Sequence, residues 1–308
     1  MKKGWQYVQT NGTNEKMAPM TLVENVLMSE DGASLKEVMP SNPNLLINGD
    51  FQVWQRGLAF SGLSSGQYFA DRWKMSCNGT VYADSRLING RNAVLFDIGT
   101  DKTWCGISQS IEDKVNYHSG RTVCVTIYSP NPETILSALI ETSGGNNWME
   151  NIVRSSDRIT GTITIGQFSN KLFTLWIYFD LSKQFPSVYA VKMEEGSIAT
   201  PLTPRKYAEE LAICKRYYEK LGPIHILAPA NLGFDQVFPF TVEKRIVPAC
   251  RPYSMNGAWN KISFWNNSGW SDYDMSQLAD VTTYGCRVGA ALTTDKHFRF
   301  DLIADAEI

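Results

Sequence analysis

From residue 44 to about residue 203 the chain repeats one texture: short runs rich in Val, Ile, Thr, Tyr and Phe, each stopped by Gly, Asn or Ser. The runs fall at residues 80–83, 93–96, 121–128, 135–140, 159–165 and 171–179, and the stops include Asn89-Gly90, Ser119-Gly120 and the GGNN stretch at 144–147. Parallel strands need a long crossover, usually a helix, and no 3.6-residue apolar period lies between these runs. That absence points to an antiparallel jelly roll or sandwich. Within one run Val123, Val125 and Ile127 alternate with Thr122, Cys124 and Thr126, as expected of a strand with both faces partly buried.

A helix is predicted over residues 204–222, connecting this unit to the next. Pro204 suits a first helical turn, Lys215, Arg216 and Lys220 suit its end, and Gly222-Pro223 suits a stop. Tyr207, Leu211, Cys214, Tyr218 and Leu221 would form its apolar stripe. Residues 223–308 read as a second, smaller β-sandwich, with runs at 237–242, 248–253, 261–264, 284–291 and 297–303. Residues 1–43 hold too little apolar surface for a domain of their own. They read as an attachment or oligomerisation segment, with a turn at Asp31-Gly32 and helical spacing of Leu35, Val38 and Met39, or else as a strand and helix packed on the same chain.

With 29 basic and 31 acidic residues, the formal charge of −2 gives no electrostatic footprint for nucleic acid or for a membrane surface. No apolar run approaches the roughly 20 residues that span a bilayer. The basic opening residues are followed by a polar stretch rather than a signal-peptide core, so synthesis in a reducing cytoplasm is expected. Six scattered cysteines without a CxxC pair, and three histidines, predict buried thiols with neither a zinc site nor a cofactor.

Several short motifs stand in a fixed order: NLLINGDF at 44–51, WQRG at 54–57, YFADRW at 68–73, VKMEEGSIATP at 191–201, AEELA at 208–212, CKRYY at 214–218, and ADAE at 304–307. Together they resemble bacteriophage tail-fibre and related virion appendage proteins that carry a carbohydrate-binding-module-like β-sandwich. The resemblance covers residues 44–308. It implies a receptor-binding virion protein that adheres to a host-surface glycan, and by family habit an oligomer, most often a trimer. It also implies attachment to other virion proteins through residues 1–43. The alternative is a purely architectural head-fibre or baseplate subunit.

Sugar recognition by such a fold needs flat aromatic faces beside hydrogen-bonding groups. Two segments supply both: Asn147 and Trp148 in the first unit, and Trp259, Trp265, Asn266, Trp270 and Tyr273 in the second, although Trp148 could instead fold over a sheet edge and Trp265 and Trp270 could instead form a subunit interface. Asp71 beside Arg56, Arg72 and Trp73 reads as packing at one end of the sandwich rather than chemistry. Asp50, Glu194 and Glu195 are the oxygen ligands that a structural calcium of such jelly rolls would use, but they read as solvated carboxylates. No nucleophile elbow, phosphate loop or HExxH is present. The acid pairs Glu194-Glu195 and Glu209-Glu210 lie on structural segments, so a non-catalytic protein is expected.

Overall fold

The computed structural model describes residues 9–10, 13–14, 41–112, 117–169, 172–228, 233–274, 277–290 and 296–307. The expectations for residues 1–40 lie outside these, except that Gln9–Thr10 pairs with Thr13–Asn14.

The first unit is the predicted antiparallel sandwich. One sheet has five strands in the order Gly145–Trp148, Ile135–Thr142, Leu172–Phe179, Cys105–Glu112, Lys74–Cys77. The facing sheet runs Glu150–Arg154, Arg158–Thr164, Thr122–Tyr128, Ala190–Glu195, and a third runs Ser187–Val188, Arg91–Asp97, Thr80–Ile88, Ala59–Ser64. The inward positions Ile107, Val125, Ile127, Ile140, Ile163, Leu175, Ile177 and Phe179 are buried in one continuous core. Each such side chain contributes about 1.5–3 kcal/mol by leaving water. Asn89 (φ 51°) and Gly90 (φ 73°) both take positive φ between two of these strands, the turn that the local Asn-Gly signal demands.

The NLLINGDF segment forms turns, and its side chains are tied up by the backbone around them. Asn48 is fully buried, donates to the carbonyls of Val53 and Asp71, and accepts from the Val53 N–H. Its own carbonyl takes the Trp73 indole N–H at 2.9 Å. Asn44 spans to the closing strand, donating to the Val191 carbonyl and accepting from the Met193 N–H. At Gly49 a Cβ would come within 2.5 Å of the Val191 carbonyl oxygen, so only glycine fits.

The connecting helix is shorter than predicted, Tyr207–Lys215 instead of 204–222. The residues expected to form its last turn open the strand Tyr218–Ala228, which pairs along its length with Lys296–Asp305. Tertiary pairing overrides local helix propensity there, and Gly222-Pro223 sits in a register shift of that ladder instead of stopping a helix. The predicted stripe is also corrected. Tyr207 is exposed, and the residues buried on the helix are Glu210 and Cys214.

The second unit has a sheet in the order Tyr218–Ala228, Lys296–Asp305, Lys261–Trp265, Trp270–Asp274, with Ala249–Ser254 also paired to the central strand. A three-stranded sheet, Phe234–Pro239, Gly285–Ala290, Gln277–Ala279, packs on it through Phe234, Val288, Phe298, Phe300 and Leu302. All six cysteines are free and buried.

Candidate functional site

Among the described residues exposed aromatic rings stand beside polar groups in both units, and the first sandwich holds the longest row of them. Directly opposed residues of an antiparallel ladder share a sheet face. Successive registers therefore put Trp148, Leu139, Trp176, Ser108 and Lys74 on one rung across all five strands. Tyr178 lies two residues from Trp176 on the same face, opposite Ser137. The opposite face of that strand, Phe173, Leu175, Ile177 and Phe179, fills the core. The result is a row of rings turned away from the core.

Trp148 stacks on Tyr178 with centroids 5.9 Å apart and planes at 28°, and Tyr178 stacks on Trp176 at 6.4 Å and 12°. Trp148 is 54% exposed, whereas Leu139, between Trp148 and Trp176 on the rung, is buried. The three rings thus form a near-parallel strip along this face of the sheet. The Trp176 indole N–H donates to Glu141 at 2.8 Å, which fixes the ring and leaves the other Glu141 oxygen at the strip's edge. Partial burial, with the Glu141 charge second, raises the pKa of the Tyr178 hydroxyl, so it stays a neutral donor.

Trp148 closes the strand Gly145–Trp148 at the edge of its sheet. Asn147 points elsewhere: its amide donates to the carbonyls of Ile140 and Gly145 and accepts from the Gly166 N–H, so it holds the hairpin and does not join the strip. Trp176 and Tyr178 were not singled out from the sequence. Their signal is the period-two alternation of residues 172–179, where one face already supplies the core and the other carries aromatics.

In the second unit the predicted cluster divides between two sheet faces. Trp265 and Trp270 are opposed across a tight hairpin with centroids 5.7 Å apart, and Trp265 is 42% exposed. Tyr273 pairs with the buried Ile262 and packs toward the core with Phe264. Asn266 builds the hairpin turn, accepting from Ser268 and from the Gly269 N–H while donating to Ser271. Trp259 lies apart, against Tyr253, and borders a cleft of about 410 Å³ between the units whose wall includes Tyr68, Gln67, Arg251 and Asp305.

The charged motifs close the junction between the units. Arg56 pairs with Asp71 at 3.3 Å and Glu307 at 3.2 Å, and its guanidinium lies 3.5 Å from the Tyr218 ring centre. Arg72 pairs with Glu307 and stacks 3.7 Å over Tyr217, while the Tyr217 hydroxyl and Arg245 both reach Glu112. Burial raises the pKa of Asp71 to about 6, against the opposing pull of Arg56. These are the WQRG, ADRW and ADAE residues, and the packing expected of Asp71 is what they perform.

Asp50, Glu194 and Glu195 do not converge. Glu194 is fully buried rather than solvated, pairs with Lys192 at 3.1 Å and accepts from Thr200. Glu195 faces Arg121 and His118, each at 3.3 Å, and Asp50 accepts from Gln52. Among the described residues no group of three or more His, Cys, Asp or Glu side chains gathers to hold a metal. Glu210 is likewise committed, accepting from the Asn48 N–H and from Arg205.

No family model matches the chain, and no curated protein does. Solved structures with some likeness include the enzymatically active domain of tailspike protein 4 of bacteriophage CBA120, at 14% identity and a TM-score of 0.33, over 50% of this chain and 21% of that one. The chain thus spans about a fifth of that domain. A CBM22 xylan-binding domain from Paenibacillus barcinonensis gives 13% and 0.34 over 53% of this chain and 100% of that one. The tandem of two such domains from the same protein gives 11% and 0.33 over 88% and 99%. At these TM-scores none of the three carries an inference about binding, and the fold described above rests on its own strands.

Proposed function

We propose that this chain is a tail-fibre-like structural subunit of a bacteriophage virion that adheres to host-surface glycan, with no catalytic step. The carrying observation is the row Trp148, Tyr178 and Trp176 on the open face of a sheet whose other face is core. Pyranose rings present apolar C–H faces and a belt of hydroxyls, and this face offers partners for both: exposed aromatic surface, most of all at Trp148, with Glu141, Tyr178 and Thr174 beside it. The ordered motifs of residues 44–308 support the virion setting. Weak single contacts would become strong through several copies per appendage.

An architectural reading is favoured by one feature, the exposed Trp265 beside the half-buried Trp270 at the hairpin of the second unit, which fit a contact with a neighbouring subunit. Labelled protein added to susceptible cells, with and without periodate oxidation of surface sugars, separates the two. Adhesion predicts periodate-sensitive binding that Trp176→Ala abolishes without changing oligomeric state. Binding that survives both treatments would sink the proposal, and so would the absence of binding to every susceptible strain.

A further inference from the structure

Two of the three histidines lie side by side on the second unit, and adhesion through the first sandwich makes no use of them. His225 belongs to the strand Tyr218–Ala228 and His297 to its partner Lys296–Asp305. In the ladder His225 stands opposite Arg299 and His297 opposite Leu227, so the two histidines are diagonal neighbours on one sheet face. Both are exposed. Their ring centroids are 5.7 Å apart, with planes at 45°. The third histidine, His118, is buried beside Phe173 and Glu195 in the other unit.

We propose that His225 and His297 form a two-histidine chelate site for a divalent transition cation of the Zn²⁺, Ni²⁺ and Cu²⁺ class. A metal–nitrogen bond of about 2.0–2.1 Å puts each ring centre roughly 3.2 Å from the ion, so two rings on one ion sit about 4.5–5.2 Å apart. The observed 5.7 Å exceeds that range by about 0.5–1.2 Å, a gap that side-chain rotation of exposed rings closes. The two strands are hydrogen-bonded to each other, so the backbone positions are fixed before the ion arrives.

The donor set selects the cation. Two imidazoles without a carboxylate suit borderline ions and offer nothing to Ca²⁺ or Mg²⁺. Water fills the remaining coordination positions, so the order of affinity follows the general series, with Cu²⁺ tightest. Arg299, opposite His225, adds a positive charge nearby and keeps the affinity modest. Trp270 packs against His297 with centroids 5.6 Å apart and reports directly, because bound Cu²⁺ quenches an indole at that range.

The test is equilibrium dialysis of the whole protein against CuCl₂ and NiCl₂ in a non-coordinating buffer, with tryptophan fluorescence followed in parallel. One equivalent should bind, and His225→Ala and His297→Ala should each weaken binding at least tenfold. Trp270→Phe should keep the stoichiometry and lose the quenching. Because both histidines are exposed, the histidine variants should match the parent in metal-free denaturation but gain less thermal stability than it does on adding metal. Loss of binding in one histidine variant but not the other would overturn the chelate. Retention of binding in both, or no binding by the parent, would do the same.

Discussion

The junction between the two units and the open face of the first sandwich use the same kinds of side chain for opposite ends. At the junction Arg56, Arg72, Asp71, Glu307, Tyr217 and Tyr218 are packed largely out of solvent, each charge matched by an opposite charge and each guanidinium by an aromatic face. On the open face, aromatic rings lie in solvent with one carboxylate holding one indole. A buried ionic cluster is costly to break and offers a ligand nothing. An aromatic ring as exposed as Trp148 is among the described residues is cheap to alter and open to a ligand.

That contrast can be broken most severely at Glu307. Glu307→Ala leaves Arg72, 1% exposed, without its carboxylate, and should destabilise the protein by about 3–5 kcal/mol in a urea titration. A next-largest effect is a pH dependence. With its folded pKa raised to about 6 from an ordinary 3.8, Asp71 binds a proton in the native state that the unfolded chain has already released between those values. Its contribution to stability is therefore full below about pH 4 and is lost as pH rises through about 6, by at most about 3 kcal/mol. Asp71→Asn should flatten that part of the stability profile, and an unchanged slope would show that Asp71 is not its source. Gly49→Ala, forcing a Cβ against the Val191 carbonyl, should cost about 1–3 kcal/mol by thermal melting. The smallest stability change belongs to the open face: Trp148→Ala should move stability by about 0.5 kcal/mol or less while lowering periodate-sensitive cell binding several-fold. A large loss of stability there would mean that the ring is part of the packing and erase the contrast.

The β architecture was legible because alternation and turn residues act locally: Thr122–Tyr128, Ile135–Thr142 and Leu172–Phe179 fall close to the predicted runs. The helix boundary was not, since only the distant strand Lys296–Asp305 makes residues 218–221 extended. For the site, Trp148 and Trp265 could be named as exposed aromatics, but Asn147, Asn266 and Tyr273 could not be told from turn and core residues by composition. An asparagine that closes a hairpin and one that meets a ligand look alike until its partners are known. Trp176 and Tyr178 were hidden for the converse reason, lying in the run that looked most like pure core.

The strand Lys296–Asp305 is the last strand of the second unit, yet it occupies the middle of its sheet, between Tyr218–Ala228 on one side and Ala249–Ser254 and Lys261–Trp265 on the other. During synthesis the flanking strands leave the ribosome with no partner and must wait for it. The first sandwich, whose strands are all made earlier, can close meanwhile. A nascent chain cut short before residue 296 would therefore carry a finished first sandwich beside open sheet edges. Such a chain would also lack Glu307, and Arg56 and Arg72 would face the junction without the carboxylate they share.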